Sequence, residues 1–377
     1  MLLALVPLVV WLFVDNDSYR RALDFILPGL RFTILTTIFG YIVASVLGLI
    51  LAGLMLLKTG DRTVRNFLVG TLVLGVVSGF LFTRPQETYQ LIGSTEGRIA
   101  IVRGTPSRLV DIVEEGRYSE EAGTREFRSV QSIEDALERL ESGTVNAVFV
   151  PAERAPADAP VLYEVTFLPD DVRNPAIYLA GIAFLLVLLV FGSWQTGEHP
   201  MAIFADLYVD LIRGIPMLVV ILFIGFVLPP AIREATGGRI DISSDLARGV
   251  LAIALGYAAY MAEIFRAGIE AIPKGQFEAA RALGLNGWQM ARHVVLPQAI
   301  TIVLPPLGNE FIAMLKDTAL LSVIGIGDVT RKAREFGAST LNLFPPYNTA
   351  AVIYVALTLT ASSMLSWLER RAKVGRT

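Results

Sequence analysis

The stretch "ILTTIFGYIVASVLGLILAGLMLL" (34–57) runs for 24 residues without a charge. About 20 apolar residues in a helix cross the hydrocarbon core of a bilayer, so this segment reads as a membrane span. A buried core helix can be equally apolar, but here the pattern recurs. "AIYLAGIAFLLVLLVFGSW" (176–194) adds 19 such residues. Of 377 residues, 54% are hydrophobic and the mean hydropathy is +0.57, against about 45–50% apolar in a soluble domain. Working outward, about eight spans are expected, near 1–14, 30–57, 67–83, 176–193, 213–232, 247–266, 296–316 and 348–368. The fold class is therefore an all-α polytopic membrane protein.

Several alternatives fall away on composition. A net charge of −3 provides no basic surface for nucleic acid. The absence of cysteine removes disulfides, thiol catalysis and thiolate metal sites. The two histidines, His199 and His293, are too far apart in sequence to suggest a metal site. "MLLALVPLVVWLFV" at the start lacks the basic residues and small-residue cleavage site of a signal peptide, so it reads as a short retained span. Gly75-x-x-x-Gly79 in the third span could permit close helix packing.

Between Arg84 and Pro175 charges become dense, and the pattern is that of a small soluble α/β unit. Strands are expected at "RIAIVRG" (98–104), "TREFRSV" (124–130) and "NAVFVP" (146–151). Helices are expected over 105–116, with Thr105 as cap and Pro106 at the first helical position, and over 132–143, with a capping box at Ser132 and Asp135. Residues 151–160 read as a linker. The chain then divides into 1–66, an extra span 67–83, the insert 84–175, another extra span 176–194, and 195–377. Basic residues in "KTGDRTVR" and "ERRAKVGRT" favour the cytoplasm for both. Eight spans then put both termini inside and the insert outside.

One charged stretch interrupts the apolar second half: "EAARALGLNGWQMARHVVLPQA", Glu278–Ala299. Phe277, Ala280 and Leu283 share one helical face, and Trp288, Ala291 and Val295 another. Gly284 and Gly287 allow a turn between two short helices. Such a pair could offer an apolar knob to a soluble partner or lie on lipid as an interfacial helix; periodicity leaves both open.

The same residues resemble the signature loop of binding-protein-dependent ABC importer permeases. Glu278-Ala279-Ala280, Gly284, Leu296 and Pro297 match it, and Val294 stands where that family has Ile. The resemblance implies a type I importer permease core whose coupling loop, 270–297, seats on a cytoplasmic ATPase. "YVDLIRGIPMLVVILF" (208–223), "AEIFRAGIEAIPKGQFEAARALG" (262–284), "PPLGNEFIAMLKDTALLSVIGIGD" (305–328) and "LPGLRFTILTTIFGYIVASVLGLILAG" (27–53) resemble the polar amino acid branch, with Arg213, Gly214 and Pro216 diagnostic. The implied setting is a bacterial cytoplasmic (inner) membrane. The implied partners are ATPase subunits that bind ATP and Mg, a second or sister permease copy, an extracytoplasmic substrate-binding protein and the amino acid itself. No phosphate-binding loop is present, so the chain is no enzyme by itself. A receptor-like channel and a secondary transporter are the competing classes; the absence of a filter sequence and the loop itself argue against a channel.

Within the spans, "LPPLGNEF" places Pro305, Pro306 and Gly308 in one helix, where the prolines are expected to break it. Glu310 follows, a carboxylate costing about 2.5–3.5 kcal/mol in a span unless it faces protein or water. It reads either as a lining residue that holds a substrate ammonium or as a packing partner. Asn309, Lys316 and Asp317 complete the candidate pathway, with Ala319 where the family's Lys-Asp-Thr-Ser pattern has Ser. Glu263 and Arg266 are expected to pair. The insert resembles the second lobe of amino-acid-binding proteins. The resemblance implies a carboxylate-holding turn at Gly104-Thr105, but Asn146 and Pro151 stand where an ammonium-holding Asp is usual. With no first lobe, the insert is expected to dock a binding protein or stabilise the exterior rather than bind an amino acid tightly.

Overall fold

The computed structural model describes residues 16–94, 97–103, 105–118, 127–236 and 238–374. The expected span at 1–14 lies outside them. Six described helices are long and apolar enough to cross a membrane, and a bent pair makes a seventh. These correspond to the other seven expected spans, though with different edges.

The first helix, α1 (Asp17–Met55), is 39 residues long, where a span starting at 30 was expected. At 1.5 Å per residue it measures ~58 Å, nearly twice the hydrocarbon thickness of about 30 Å. Its first turns, capped by Asn16, do not need lipid because they pack on protein: Ala22 and Ile26 are buried with Val329, Ala333 and Ala350.

Residues 61–191 form one compact unit. It holds α2 (Asp61–Phe82), β1 (Glu87–Gly93), β2 (Ile99–Val102), α3 (Ser107–Glu114), β3 (Phe127–Val130), α4 (Ile133–Glu141), β4 (Ala147–Pro151), β5 (Val161–Phe167) and most of α5 (Asp170–Thr196). The strands lie in the order β3-β2-β4-β1-β5. β2 pairs parallel with β3 and β4, and β1 pairs antiparallel with β4 and β5. Leu91 and Ile92 point to opposite faces, as period-two alternation requires. Leu91 joins Leu109, Ile112 and Phe149 beneath α3; Ile92 joins Ala136, Val148 and Val150 beneath α4. The α/β character expected for the insert is present, with five strands in place of three. Pro106, not Thr105, is the N-cap of α3, and it makes no side-chain cap bond; its φ of −51° with an extended ψ of 136° starts the helix one residue later than expected. Ser132 Oγ accepts from the Asp135 backbone N–H at 3.1 Å, capping α4 as expected. Between the two long helices of this unit, α2 and α5, the Ser78 hydroxyl donates to the Ala176 carbonyl at 2.8 Å. Gly75 and Gly79 have open space around them, so the close packing this pair could permit is not made among the described residues.

The second unit comprises the described parts of 1–60 and 192–377. After α1 it contains α6 (Pro200–Gly214), α7 (Met217–Leu222), α8 (Leu228–Ala235), α9 (Asp245–Glu270), α10 (Lys274–Ala282), α11 (Gly287–Met290), α12 (Leu296–Asp317), α13 (Val329–Thr340) and α14 (Phe344–Val374). Small residues bring its helices together, since van der Waals packing drives helix association in lipid. Gly40 of α1 faces Ile253 of α9, Gly48 faces Met261, and Gly268 faces Val303 of α12. Arg213 and Gly214 do not open a span; they end α6, and the chain bends by 108° before α7. Pro216, the N-cap of α7, cannot continue the preceding ladder.

The prolines in α12 do not break it. The helix is continuous through Pro305 and Pro306. They remove only the donors to the carbonyls of residues 301 and 302, and packed neighbours hold the axis: Gly268 against Val303 on one side of the pair, Gly308 against Leu365 on the other. The departure from α-helix comes later, as a 3-10 segment over Thr318–Ile324.

Candidate functional site

Two constellations stand out in the second unit, one inside the bundle and one at its end. The first gathers polar groups on helices otherwise built from apolar residues. Tyr257 of α9 is buried, and its hydroxyl donates to Asp317 Oδ2 at 2.8 Å. Tyr260, one turn on, lies 6.0 Å from Tyr257, and the Arg213 guanidinium stands over its ring at 5.8 Å. Glu310 is half-buried and within electrostatic range of both Arg213 and Asp317. Among the described residues it has no hydrogen-bond partner of its own. Tyr41 of α1 donates to the Leu307 carbonyl at 3.1 Å and meets Phe311 edge-on at 5.2 Å, fixing α1 against this part of α12.

The site thus draws on four helices: α1, the end of α6, α9 and α12. Glu310 and Asp317 are seven residues apart, two helical turns, and so share a face. Of the expected pathway residues, Asn309 and Lys316 are exposed, while Pro305, Pro306 and Gly308 are half-buried. Lys316 has no partner among the described residues. The tyrosines were missed. Their signal was in "LGYAAYMAE", where Tyr257, Tyr260 and Glu263 recur every three residues in a span. Glu263 and Arg266 form the expected pair, with Nη2 to Oε1 at 2.6 Å and Nε to Oε2 at 3.2 Å; Glu270 adds a contact at 3.1 Å.

The second constellation is the charged stretch. α10 ends in a Schellman motif: Leu285 N–H donates to the Ala280 carbonyl at 3.1 Å and Gly284 N–H to the Arg281 carbonyl at 2.9 Å. Gly284 takes φ +75°, which glycine adopts without a Cβ penalty. Asn286 then caps α11 in a reciprocal capping box with Gln289. Pro297 cannot donate to the His293 carbonyl, and the chain widens into a π-turn over Ala291–Val295 before α12 begins. Gln298 Nε2 donates to the Val294 carbonyl at 2.9 Å. The result is a firmly capped helical hairpin. Glu278, Ala279, Gly284, Leu296 and Pro297 are exposed on it, Ala280 is buried and Val294 half-buried. Leu283 is 80% exposed, so it does not share a buried face with Ala280.

The insert's supposed ligand residues are not together. Gly104 lies outside the described residues. Thr105 follows the C-terminal end of β2, and Pro151 ends β4. Asn146 precedes β4, at the other end of the parallel strands, where its Oδ1 accepts from the Arg98 backbone N–H at 3.1 Å. It is a turn residue, not a candidate ligand.

Residues 199–374 match the family described as binding-protein-dependent transport system inner membrane component. The glutamine transport system permease protein GlnP of Escherichia coli (strain K12) is 39% identical over 184 residues, covering 49% of this chain and 79% of that protein. The arginine transport system permease protein ArtQ of Bacillus subtilis (strain 168) is 39% identical over 175 residues, covering 46% of this chain and 77% of that protein. A crystal structure of an amino acid ABC transporter with histidines is 41% identical, covers 51% of this chain and 85% of its own, and superposes with a TM-score of 0.41.

Proposed function

The chain belongs to the family of binding-protein-dependent transport system inner membrane components, and on that premise we propose that it forms the translocation pathway of an ATP-driven importer for polar amino acids. It is a multi-pass membrane permease subunit of an ABC transporter, not an enzyme, and ATP hydrolysis belongs to a partner ATPase. The substrate class follows from relatives named for glutamine and arginine transport.

One observation carries the pathway reading. Glu310 has an unengaged carboxylate within range of Arg213, in a cluster drawn from separate membrane helices. Glu310 is suited to an α-ammonium, and Arg213 to the α-carboxylate borne by the same carbon. Asp317 is held by Tyr257 and sets the far side. Asn309 and Lys316 line the approach, while Pro305, Pro306 and Gly308 shape the helix that carries them.

The hairpin centred on Glu278-Ala279-Ala280 and Gly284, with Val294, Leu296 and Pro297 at its return, docks the ATPase, which binds ATP and Mg. The exposed Leu283 is its apolar contact. Both chain ends and this hairpin lie on the cytoplasmic side, with 84–175 outside as a single lobe that contacts the external binding protein. A second permease copy completes the pathway.

The test is ATP-driven uptake of labelled amino acids by the chain co-reconstituted with its ATPase and binding protein. Glu310→Gln keeps shape and removes charge, so uptake should fall or its substrate preference should change while the complex still assembles. Unchanged kinetics across several amino acids would return Glu310 to a packing role.

A further inference from the structure

A cavity lies away from the polar cluster. It is a cleft of about 600 Å³ between the ends of α1 and α9 and the return of the hairpin into α12. Leu49, Phe265, Val295 and Ile300 form apolar walls, and Trp288 and Arg292 stand among the lining residues. Trp288 is 73% exposed, and Arg292 is exposed. Neighbouring polar side chains are engaged: Arg266 with Glu263 and Glu270, His293 with the Gln289 carbonyl. Arg292 has no hydrogen-bond or ion-pair partner among the described residues.

We propose that this cleft holds an anionic phospholipid, with an acyl chain along the Leu49–Phe265–Ile300 wall and the phosphate on the Arg292 guanidinium. The size suits a bound small molecule, since such pockets run about 300–1,000 Å³, but the walls cannot satisfy a polar metabolite. Only the guanidinium offers charge, and guanidinium planes bind phosphate through paired N–H donors. An indole beside a cation marks the headgroup level of a bilayer, and basic pockets between spanning helices bind acidic headgroups. Of the hairpin's two most exposed apolar side chains, Leu283 lies outside the lining and Trp288 within it, so the lipid leaves Leu283 to the ATPase and shares only the return at Leu296 with it. A bound lipid would brace α11 and the π-turn against α1 and α9, tying the hairpin's position to membrane composition.

The full chain is placed in phosphatidylcholine vesicles, and phosphatidylglycerol or phosphatidylcholine with brominated acyl chains is titrated in. The chain has four tryptophans, so the Trp288 signal is taken as the difference between the chain and its Trp288→Phe variant. Brominated phosphatidylglycerol should half-quench that signal at a roughly fivefold lower mole fraction than brominated phosphatidylcholine. Arg292→Gln should abolish the preference, and Arg292→Lys should keep most of it. Equal quenching by the two lipids, absence of Trp288-dependent quenching by either, or a preference that survives Arg292→Gln would each overturn the proposal. So would loss of quenching when the ATPase subunit is added, because a protein side chain would then be the occupant.

Discussion

Tyr257 and Asp317 are sixty positions apart and joined by one hydrogen bond of 2.8 Å from a buried hydroxyl to a carboxylate oxygen. That bond crosses from α9 to α12 and fixes which way the Asp317 carboxylate faces. A hydrogen bond to a charged group contributes about 1.5–3 kcal/mol. Tyr257→Phe should therefore lower uptake kcat/KM by roughly 10–100-fold, with little change in expression. Asp317→Ala combined with Tyr257→Phe should cost far less than the sum of the two single changes, because each change alone already removes the bond. Additive losses in uptake would mean that the pair does not act as a unit.

Close approach of backbones gives a second expectation. A methyl group on Gly29 would stand 2.7 Å from the carbonyl carbon and oxygen of Asp328. Backbone cannot move aside as a flexible side chain can, and Asp328 also caps α13 through the Thr330 and Arg331 N–H groups. Gly29→Ala should destabilise the purified chain by about 1–3 kcal/mol, read as a lower thermal unfolding temperature in detergent. Gly53, on the same helix, has open space around it, so Gly53→Ala should be neutral or mildly stabilising through helix propensity.

Much of this architecture was legible in the chain, for physical reasons that also mark the limits. Uncharged runs such as 34–57 reveal spans because lipid imposes one demand on a long segment. The hairpin was legible because the turn at Gly284 and Gly287 is set locally. The continuity of α12 was not, because whether a helix survives Pro305 and Pro306 depends on partners as distant as Gly268 and Leu365. Strands β1 and β5 escaped notice because most of their residues are only partly buried or exposed, and "ETYQLIG" and "VLYEVTF" mix polar residues into their alternation. Tyr257 carried only the weak signal of a polar-tipped aromatic in a span; its bond to Asp317 is a tertiary fact.

In the insert, the Arg139 guanidinium bonded to Asp135 at 2.6 Å holds that carboxyl below the usual carboxylate range. A folded-state pKa below the unfolded value contributes stability above the unfolded pKa of about 3.9, and the contribution fades as pH falls through the folded value. The insert has its own core on both faces of the sheet, so 84–175 can be studied alone. Its urea midpoint should drop between pH 5 and pH 3 by more than that of Asp135→Asn. Parallel curves for the two would show that this carboxylate adds no pH-dependent stability.

The same segment should not bind amino acids tightly. Thr105 and Pro151 sit at the C-terminal ends of β2 and β4, and Asn146 sits at the opposite end, engaged by Arg98 N–H. No carboxylate replaces the missing ammonium anchor among these positions, and a single lobe leaves the ligand in competition with water. Each charged hydrogen bond forgone costs about 1.5–3 kcal/mol of affinity. Calorimetry of 84–175 with the common amino acids should give no micromolar binding; a micromolar isotherm would make the lobe a sensor.

Gly284 offers the sharpest test of the hairpin, because its role is separable from sterics. Nothing lies within 4 Å of where its Cβ would be, so any loss on substitution comes from the backbone, held at φ +75°. Asn tolerates the left-handed region better than other residues with a side chain, and a β-branched residue tolerates it worst. The Schellman bonds from Gly284 and Leu285 depend on that conformation. Gly284→Val should therefore disturb the hairpin and uncouple ATP hydrolysis from uptake while the chain still inserts. Gly284→Asn, which adds comparable bulk, should retain most coupling. The ranking is what matters: if Asn and Val uncouple equally, bulk against the docked ATPase explains the loss, and the left-handed turn does not.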